Sequence, residues 1–566
     1  MMNRCVFKIL ISNSGAFPFQ FHLSHRNPPV RWRGKLKNPA PALTLKPERS
    51  GPLPTLVTFD QTLKFHSHLE NASKKGTKFA LALSSIARIT WGTPFKYVRR
   101  LYTAVIRPRI QYGAVIWHRP EDIQNSPATS QVRILTTVQR LAMKTITGCF
   151  RTTSTEALQY ETDLLPIELE LRKQIAKYLT RIQTLPQKHP TKTWLTKAAR
   201  YWTITNSKTF ISNLEYLVKQ YPKYVSANTE EIQPYVKPPW WSLTNTTIHI
   251  NTTSKDKAKE DHENSMRNNN TPHTLHIYTD GSGIENHIGA AAYSPTLLKT
   301  AHKYLGNTDM TNVYAAELTA INLGIKMAEE SDEQFHRCYI YVDNQASIQA
   351  VERPKQQSGQ YIIRDILQKL QEVQHLRPNL KFIIEWVPGH MDIDGNEKAD
   401  KEAKRAALEQ LAGEPTPQYK LKSVQTTKIM DDVKATAREL WNKGKTTAQQ
   451  HRKTTRPRRL KTGVKLYDGL TRKQTANLIR LRSGHCRLNK YLHQRKIIEE
   501  PGCECGRGTE TVKHFLLHCK KYESERRELK EAVKGRNMRL ENLLGDPKLV
   551  KDTLEYVERT GRFNFV

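Results

Sequence analysis

Apolar positions at helical spacing dominate the first third of the chain. Lys74-Lys-Gly-Thr-Lys-Phe-Ala-Leu-Ala-Leu-Ser-Ser-Ile-Ala-Arg, the run Phe95–Arg107 and the run Val132–Lys144 each repeat apolar residues every three to four positions, which predicts amphipathic helices. Residues 56–235 therefore read as a mainly helical region. Residues 236–273 turn to Asn, Thr, Ser and charge with few large apolar groups, which predicts a linker. The pattern changes again over 274–410. Leu275-His-Ile-Tyr-Thr-Asp280, Gly289-Ala-Ala-Ala-Tyr and a short run near His302 read as three strands. They are followed by helix, strand (Cys338–Val342), helix, strand and helix. Strands first and alternating helices and strands afterwards predict an α/β fold, a mixed sheet with packed helices. A second linker is expected at 411–422, around Gly413–Pro417, and basic helices over 423–566. Residues 1–55 are Pro-rich without periodicity and predict a poorly ordered start.

Charge sharpens this division. The net charge is +36 over 566 residues, yet residues 274–410 hold 14 Lys and Arg against 19 Asp and Glu, a net of −5. The rest of the chain therefore carries +41. An acidic centre between basic arms suits a protein whose cations hold a polyanion while its acids hold metal. No stretch approaches the roughly 20 apolar residues of a membrane span. Seven cysteines, odd in number and four of them scattered, point to a reducing compartment, nuclear or cytoplasmic, and away from secretion. Nothing in the pattern gives an oligomeric state.

The acids of the centre supply the candidate chemistry. Asp280 and Asp343 each end a strand-like run, Glu317 lies in an Ala-rich helical pattern, and Asp400 lies in the last helix after Trp386-Val-Pro-Gly-His390. Neighbouring strand ends bring side chains together, and hard divalent cations prefer carboxylate oxygens. One such acid alone is ordinarily a turn former or a solvated side chain. Four with these flanks point to one site for hard divalent cations such as Mg²⁺, a pair of which can clamp the attacking and leaving oxygens of a phosphodiester.

Tyr278-Thr-Asp280-Gly-Ser282, Ala315-Ala-Glu317-Leu, Tyr341-Val-Asp343-Asn-Gln and Val387-Pro-Gly-His390, leading to Gly395-Asn-Glu-Lys-Ala-Asp400, resemble the ribonuclease H domain in order, spacing and flanks. The resemblance covers about a quarter of the chain. It implies hydrolysis of the RNA strand of an RNA–DNA hybrid with two Mg²⁺ or Mn²⁺ ions. Asp280 would bridge two metal ions, Asp343 and Asp400 would complete the two sites, and Glu317 would face the 2′-OH. His390 would serve as a proton or product shuttle. Ser282 and Asn312 are candidate contacts to the 2′-hydroxyls that separate RNA from DNA.

The flanks extend the resemblance. Arg99-Arg-Leu-Tyr102 through Trp117 resembles the segment after the polymerase palm in non-long-terminal-repeat retrotransposon reverse transcriptases. The palm's Tyr-X-Asp-Asp hairpin has no counterpart: Tyr341-Val-Asp343-Asn344 lacks the second Asp, and Ile429-Met-Asp-Asp432 lacks the Tyr. A truncated polyprotein without DNA synthesis is expected. Near the C-terminus, Cys503, Cys505, His514 and Cys519 offer three thiols and an imidazole, a donor set for tetrahedral Zn²⁺. The Cys-x-Cys spacing is tighter than usual, and His518 and Cys486 are alternative ligands. Two readings follow: a metal-dependent hybrid nuclease, or a catalytically silent nucleic-acid-binding remnant of a retroelement.

Overall fold

A computed structural model describes residues 57–59, 65–118, 130–194, 197, 228–234, 241–243, 245–250, 253–331, 334–409, 419–443, 451, 464–533 and 538–564. The expected irregular start and the basic run Arg452–Lys461 lie outside these residues. The chain divides into two compact units. One joins Met1–Gln174 with Asp432–Val566, and the other is Ile175–Asp431.

The chain opens with helices α1 (His66–Ile86), α2 (Phe95–Leu101), α3 (Ser130–Thr147), α4 (Thr155–Thr162) and α5 (Ile167–Gln183). Their apolar faces meet. Leu69, Val98, Tyr102, Ile110, Leu135 and Met143 are fully buried, as the helical spacing predicts. Ser154 starts α4 by accepting the Ala157 N–H at 3.2 Å, a side-chain cap on an otherwise orphaned donor.

In the second unit the elements follow as β1 (Thr246–His249), α6 (Lys255–Asn269), β2 (Thr274–Ile284), β3 (His287–Ser294), β4 (Lys299–Asn307) and α7 (Val313–Glu329). Then come β5 (Arg337–Val342), α8 (Gln345–Glu352), α9 (Gln360–Leu376), β6 (Lys381–Trp386) and α10 (Asp394–Leu408). The six strands form one sheet in the order β1-β6-β5-β2-β3-β4. The β2–β3 and β3–β4 pairs are antiparallel, and β2–β5, β5–β6 and β6–β1 are parallel. The expected mixed α/β sheet is present. Its central strands are covered on both faces, which is why β2 and β5 read as nearly continuous apolar runs. Leu275, Ile277, Ile340, Val342 and Ile384 pack with Leu318, Ile325, Ile363 and Leu370 of α7 and α9. On the other face Tyr278, Tyr339 and Tyr341 pack with Ile393 and Ala399 around α10.

The reading of 236–273 as a linker is corrected. Thr246–His249 pairs in parallel register with Phe382–Glu385 at the sheet edge, and Lys255–Asn269 is a helix. Only Ala258 and His262 of α6 are buried, so its apolar stripe was too narrow to read as helix. The boundaries at 235 and 411–422 shift as well. Glu230 is buried, with its carboxylate accepting from the Gly359 N–H at 2.8 Å and the Lys422 N–H at 2.7 Å. Leu421 joins the core of the sheet unit.

The chain closes with α11 (Lys422–Lys443), α12 (Arg472–Ser483), α13 (Val512–Leu517), α14 (Glu523–Ala532) and α15 (Pro547–Arg559). Sequence analysis separated 56–235 from 423–566. The structure instead places Leu69, Val98 and Leu135 in one hydrophobic core with Leu478, Phe515, Leu554 and Val557. Polar contacts fasten the two stretches. Arg480 donates to the Gly148 carbonyl at 2.8 Å, Arg472 donates to the Thr145 and Ile146 carbonyls, and Arg482 meets Glu161 at 2.6 Å. These are the unpaired carbonyls at the end of α3, which a cation satisfies well. Contacts between residues more than 300 positions apart leave no local trace in the sequence.

Candidate metal centre

Asp280 sits inside β2 rather than past its end, because β2 continues to Ile284 in register with β3. Asp343 follows the last residue of the parallel neighbour β5, so the two carboxylates project from adjacent strands. Glu317 lies in the first turns of α7. Gly281 permits this approach: a Cβ there would stand 2.4 Å from the Glu317 backbone nitrogen. One oxygen from each of Asp280, Glu317 and Asp343 lies within 4.8 Å of the others.

Burial, followed by repulsion from Asp343 and Asp400, raises the proton affinity of Asp280. Burial, with repulsion from Asp280 and Asp343, pushes Glu317 up as well. Burial also raises Asp343, against the attraction of His390. One Glu317 oxygen, Oε2, is buried without a hydrogen-bond partner. Buried carboxylates that repel one another and leave an acceptor orphaned fit a divalent cation, which would satisfy both deficits.

Asp400 stands on α10 outside the close trio. It shares a hydrogen bond with Asp280, and its carboxylate is paired with Lys404 one turn further along. His390 is exposed in the loop between β6 and α10, in the left-handed region at φ 59°, and Asp392 follows at φ 53°. The preceding Gly389 has a specific reason: a Cβ there would stand 2.6 Å from Asp343 Oδ2. Ser282 lies half-exposed two residues beyond Asp280 on the same strand. Asn312 is already engaged. Its side chain caps α7 by accepting the Ala315 N–H at 3.1 Å and donates to Ser423 Oγ at 3.1 Å. An Asn before a helix is as often a cap as a ligand, and here the cap reading holds.

Sequence reasoning missed four residues around the site. Lys404 pairs with Asp400, a helical i, i+4 spacing that was open to inspection. Asn396 is buried and hydrogen-bonds Asp343. Asn344 hydrogen-bonds Glu317 and also caps α8 through the Ala346 N–H at 3.0 Å. Lys255 donates to the Gly389 carbonyl at 3.1 Å from α6, within the stretch read as linker.

A second group forms near the C-terminus. Cys503, Cys505, His514 and Cys519 offer ligand atoms that all lie within 4.8 Å of one another. Cys503 Sγ is 3.5 Å from Cys519 Sγ, and Cys505 Sγ is 3.3 Å from His514 Nε2. The tight Cys-x-Cys spacing works because a turn follows it. Gly506 and Gly508 adopt φ of 71° and 86°, and the Cys503 N–H donates to the Gly508 carbonyl at 2.9 Å. The alternatives lie elsewhere: Cys486 is buried in the helical core and His518 is exposed, both outside the group of four.

Residues 272–408 match the RNase H family model. A retrovirus-related Pol polyprotein from type-1 retrotransposable element R1 4 of Nasonia vitripennis is 30% identical over 125 residues, covering 22% of this chain and 30% of the relative. The putative 115 kDa protein in type-1 retrotransposable element R1DM of Drosophila melanogaster is 26% identical over 122 residues, covering 22% of this chain and 12% of the relative. The chain thus spans under a third of the length of either. Similar solved structures include RNase H1 from the halophilic archaeon Halobacterium salinarum NRC-1. It is 18% identical at a TM-score of 0.18, over 24% of this chain and 98% of that one. The native prototype foamy virus protease–reverse transcriptase is also 18% identical, at a TM-score of 0.19, over 24% of this chain and 21% of that one.

Proposed function

We propose that this chain, whose residues 272–408 are a ribonuclease H domain, is a divalent-metal-dependent endonuclease cutting the RNA strand of RNA–DNA hybrids within a retrotransposon-derived protein. The observation that carries the reading is the trio Asp280, Glu317 and Asp343, the first two buried and the third half-buried, with Glu317 Oε2 unpaired. Such a group is costly to fold for its own sake.

The residues that would hold two Mg²⁺ or Mn²⁺ ions are Asp280, Glu317, Asp343 and Asp400. When bound, the ions would supply an acidified water and neutralise charge on the departing oxygen. The chain's own groups do the rest. The sheet fixes Asp280 and Asp343 in register, and Asn396 and Asn344 hold the Asp343 and Glu317 carboxylates in place. Gly281 and Gly389 leave room for Glu317 and Asp343 to converge. His390, exposed on its turn, passes a proton to the leaving 3′ oxygen or escorts product out. Ser282 faces the substrate from β2 and reads a 2′-hydroxyl.

The basic regions hold the hybrid. The +41 outside 274–410 supplies counter-charge for phosphates. Beside the Cys/His group, a cavity of about 430 Å³ is lined by Arg507, Lys520, Arg527 and Lys530 with Glu523 as the acid. Cys503, Cys505, His514 and Cys519 would hold a structural Zn²⁺, for which three thiolates and one imidazole are a suitable donor set. No described helix is long and apolar enough to cross a membrane.

A second reading is a silent hybrid-binding remnant. It is favoured by Lys404, which already pairs with Asp400. Cleavage of a labelled hybrid in Mg²⁺ decides between them. Cutting of the RNA strand by the full chain, lost in Asp280→Asn, supports the enzyme. Equal inactivity of both proteins with retained hybrid binding supports the remnant.

A further inference from the structure

Helix α6 lies wholly before the residues that match the ribonuclease H family, yet its first residue reaches the metal centre. Lys255 Nζ donates to the Gly389 carbonyl at 3.1 Å, and its charge acts on Asp343. The position is unfavourable for a lysine in its own helix. It is the N1 residue, where the helix dipole disfavours a cation, and Ser254 makes no side-chain cap that would offset this. A locally disfavoured residue with a specific distant contact marks function more often than stability.

The loop it touches needs an outside tie. His390 and Asp392, neither of them glycine, both occupy the left-handed region, which costs roughly 1–2 kcal/mol each. The helix is a firm base for such a tie. His262 Nε2 lies 3.0 Å from the Tyr278 hydroxyl and its ring meets Tyr341 edge-on at 4.6 Å. The Tyr341 hydroxyl donates to Met266 Sδ at 3.3 Å. Tyr278 and Tyr341 belong to β2 and β5, the strands that carry Asp280 and lead into Asp343. Helix and carboxylates thus share one rigid support, and Lys255 spans from it to the loop.

We propose that Lys255 is a positioning residue: α6 straps the metal centre, and the Lys255 ammonium pins the Gly389 carbonyl so that His390 is held over Asp343. The kinetic arm of the test rests on the nuclease reading, but the structural arm does not. In the full chain without metal or substrate, Lys255→Ala should speed amide exchange across residues 389–393 while leaving the melting temperature near that of wild type. On a hybrid substrate in Mg²⁺ it should lower kcat roughly tenfold with KM changed less than about twofold, because a slightly misplaced catalytic group costs rate rather than binding. Lys255→Arg keeps a donor and a charge and should restore most of the loss. His262→Phe, which loosens the helix base instead, should reproduce the faster loop exchange.

Unchanged loop exchange in Lys255→Ala overturns the proposal. So does a rise in KM at constant kcat, which would make Lys255 a direct phosphate contact. A wild-type protein that cuts no hybrid defeats the nuclease reading alone, and exchange then decides the role of Lys255.

Discussion

The chain gathers metal-type ligands in two places by opposite means. Asp280, Glu317 and Asp343 come from β2, α7 and the end of β5, brought together by a sheet whose register exists without them. Cys503, Cys505, His514 and Cys519 come from seventeen consecutive residues, closed by one glycine turn and the short α13. In the first case the fold makes the site and the site strains the fold. In the second only the loop 502–509 has little besides the ligands: Gly502 pairs with Thr509 in an isolated bridge, and the Gly506 and Gly508 positions face open space, while Phe515 and Leu516 of α13 are buried in the helical core. Removing metal should therefore disable the first site and loosen the loop that carries Cys503 and Cys505 in the second.

The largest effect expected from this contrast is on catalysis. Asp280→Asn should reduce hybrid cleavage on the order of a thousandfold or more, since metal-assisted charge stabilisation contributes several kcal/mol to the transition state. The same variant should melt no lower than wild type in chelator, because it removes one repelling carboxylate. A large drop in its melting temperature would show that the carboxylates support the fold. Next in size is Cys519→Ser, or treatment with a zinc chelator. Either should expose the loop 500–511 to protease while 272–408 stays resistant, since structural zinc contributes several kcal/mol to folding. Equal resistance with and without chelator would remove zinc from the account.

Gly389→Ala is a sharper instrument. Its Cβ would stand 2.6 Å from Asp343 Oδ2, the end of a side chain that can turn away. Cleavage should fall about ten- to a hundredfold with little change in stability, because small misplacements near the reacting atoms are expensive. Full activity would mean that Asp343 tolerates displacement.

The smallest effect concerns pH. Burial, with help from the nearby His276, lowers His262 from its usual value to about 4. The folded protein then resists a proton that the unfolded chain accepts near its ordinary pKa of about 6.5. Its contribution is fully present above about 6.5 and is lost progressively as pH falls toward 4. His262→Phe should flatten the dependence of melting temperature on pH between those values. An identical slope in the variant would mean that His262 titrates freely.

Much of the candidate metal centre was legible because its residues announce themselves locally. An acid closing an apolar run, an Ala-flanked Glu and Pro-Gly-His before a last helix are short-range signals that survive in one sequence. The sheet was legible for the same reason: β2 and β5 carry apolar runs that only a covered strand would have. What failed was non-local or weakly patterned. Thr246–His249 is an edge strand alternating half-buried and exposed residues, and α6 buries two side chains, so both passed for linker. Asn312 also caps α7, a role that the reading of it as a substrate contact did not include. The union of 65–171 with 466–563 in one core rests on pairs such as Arg482 and Glu161, whose closeness no window of sequence contains.

That union has a consequence for how the protein is made. The helices before Gln174 cannot bury their shared core until α12 and its neighbours leave the ribosome, and the whole of Ile175–Asp431 is synthesised in between. At about 5–20 residues per second, that interval is roughly 10–50 s. The sheet unit has time to fold within it, while the part of the first helices that α12 and its neighbours later cover stays wet and is a natural client for a chaperone.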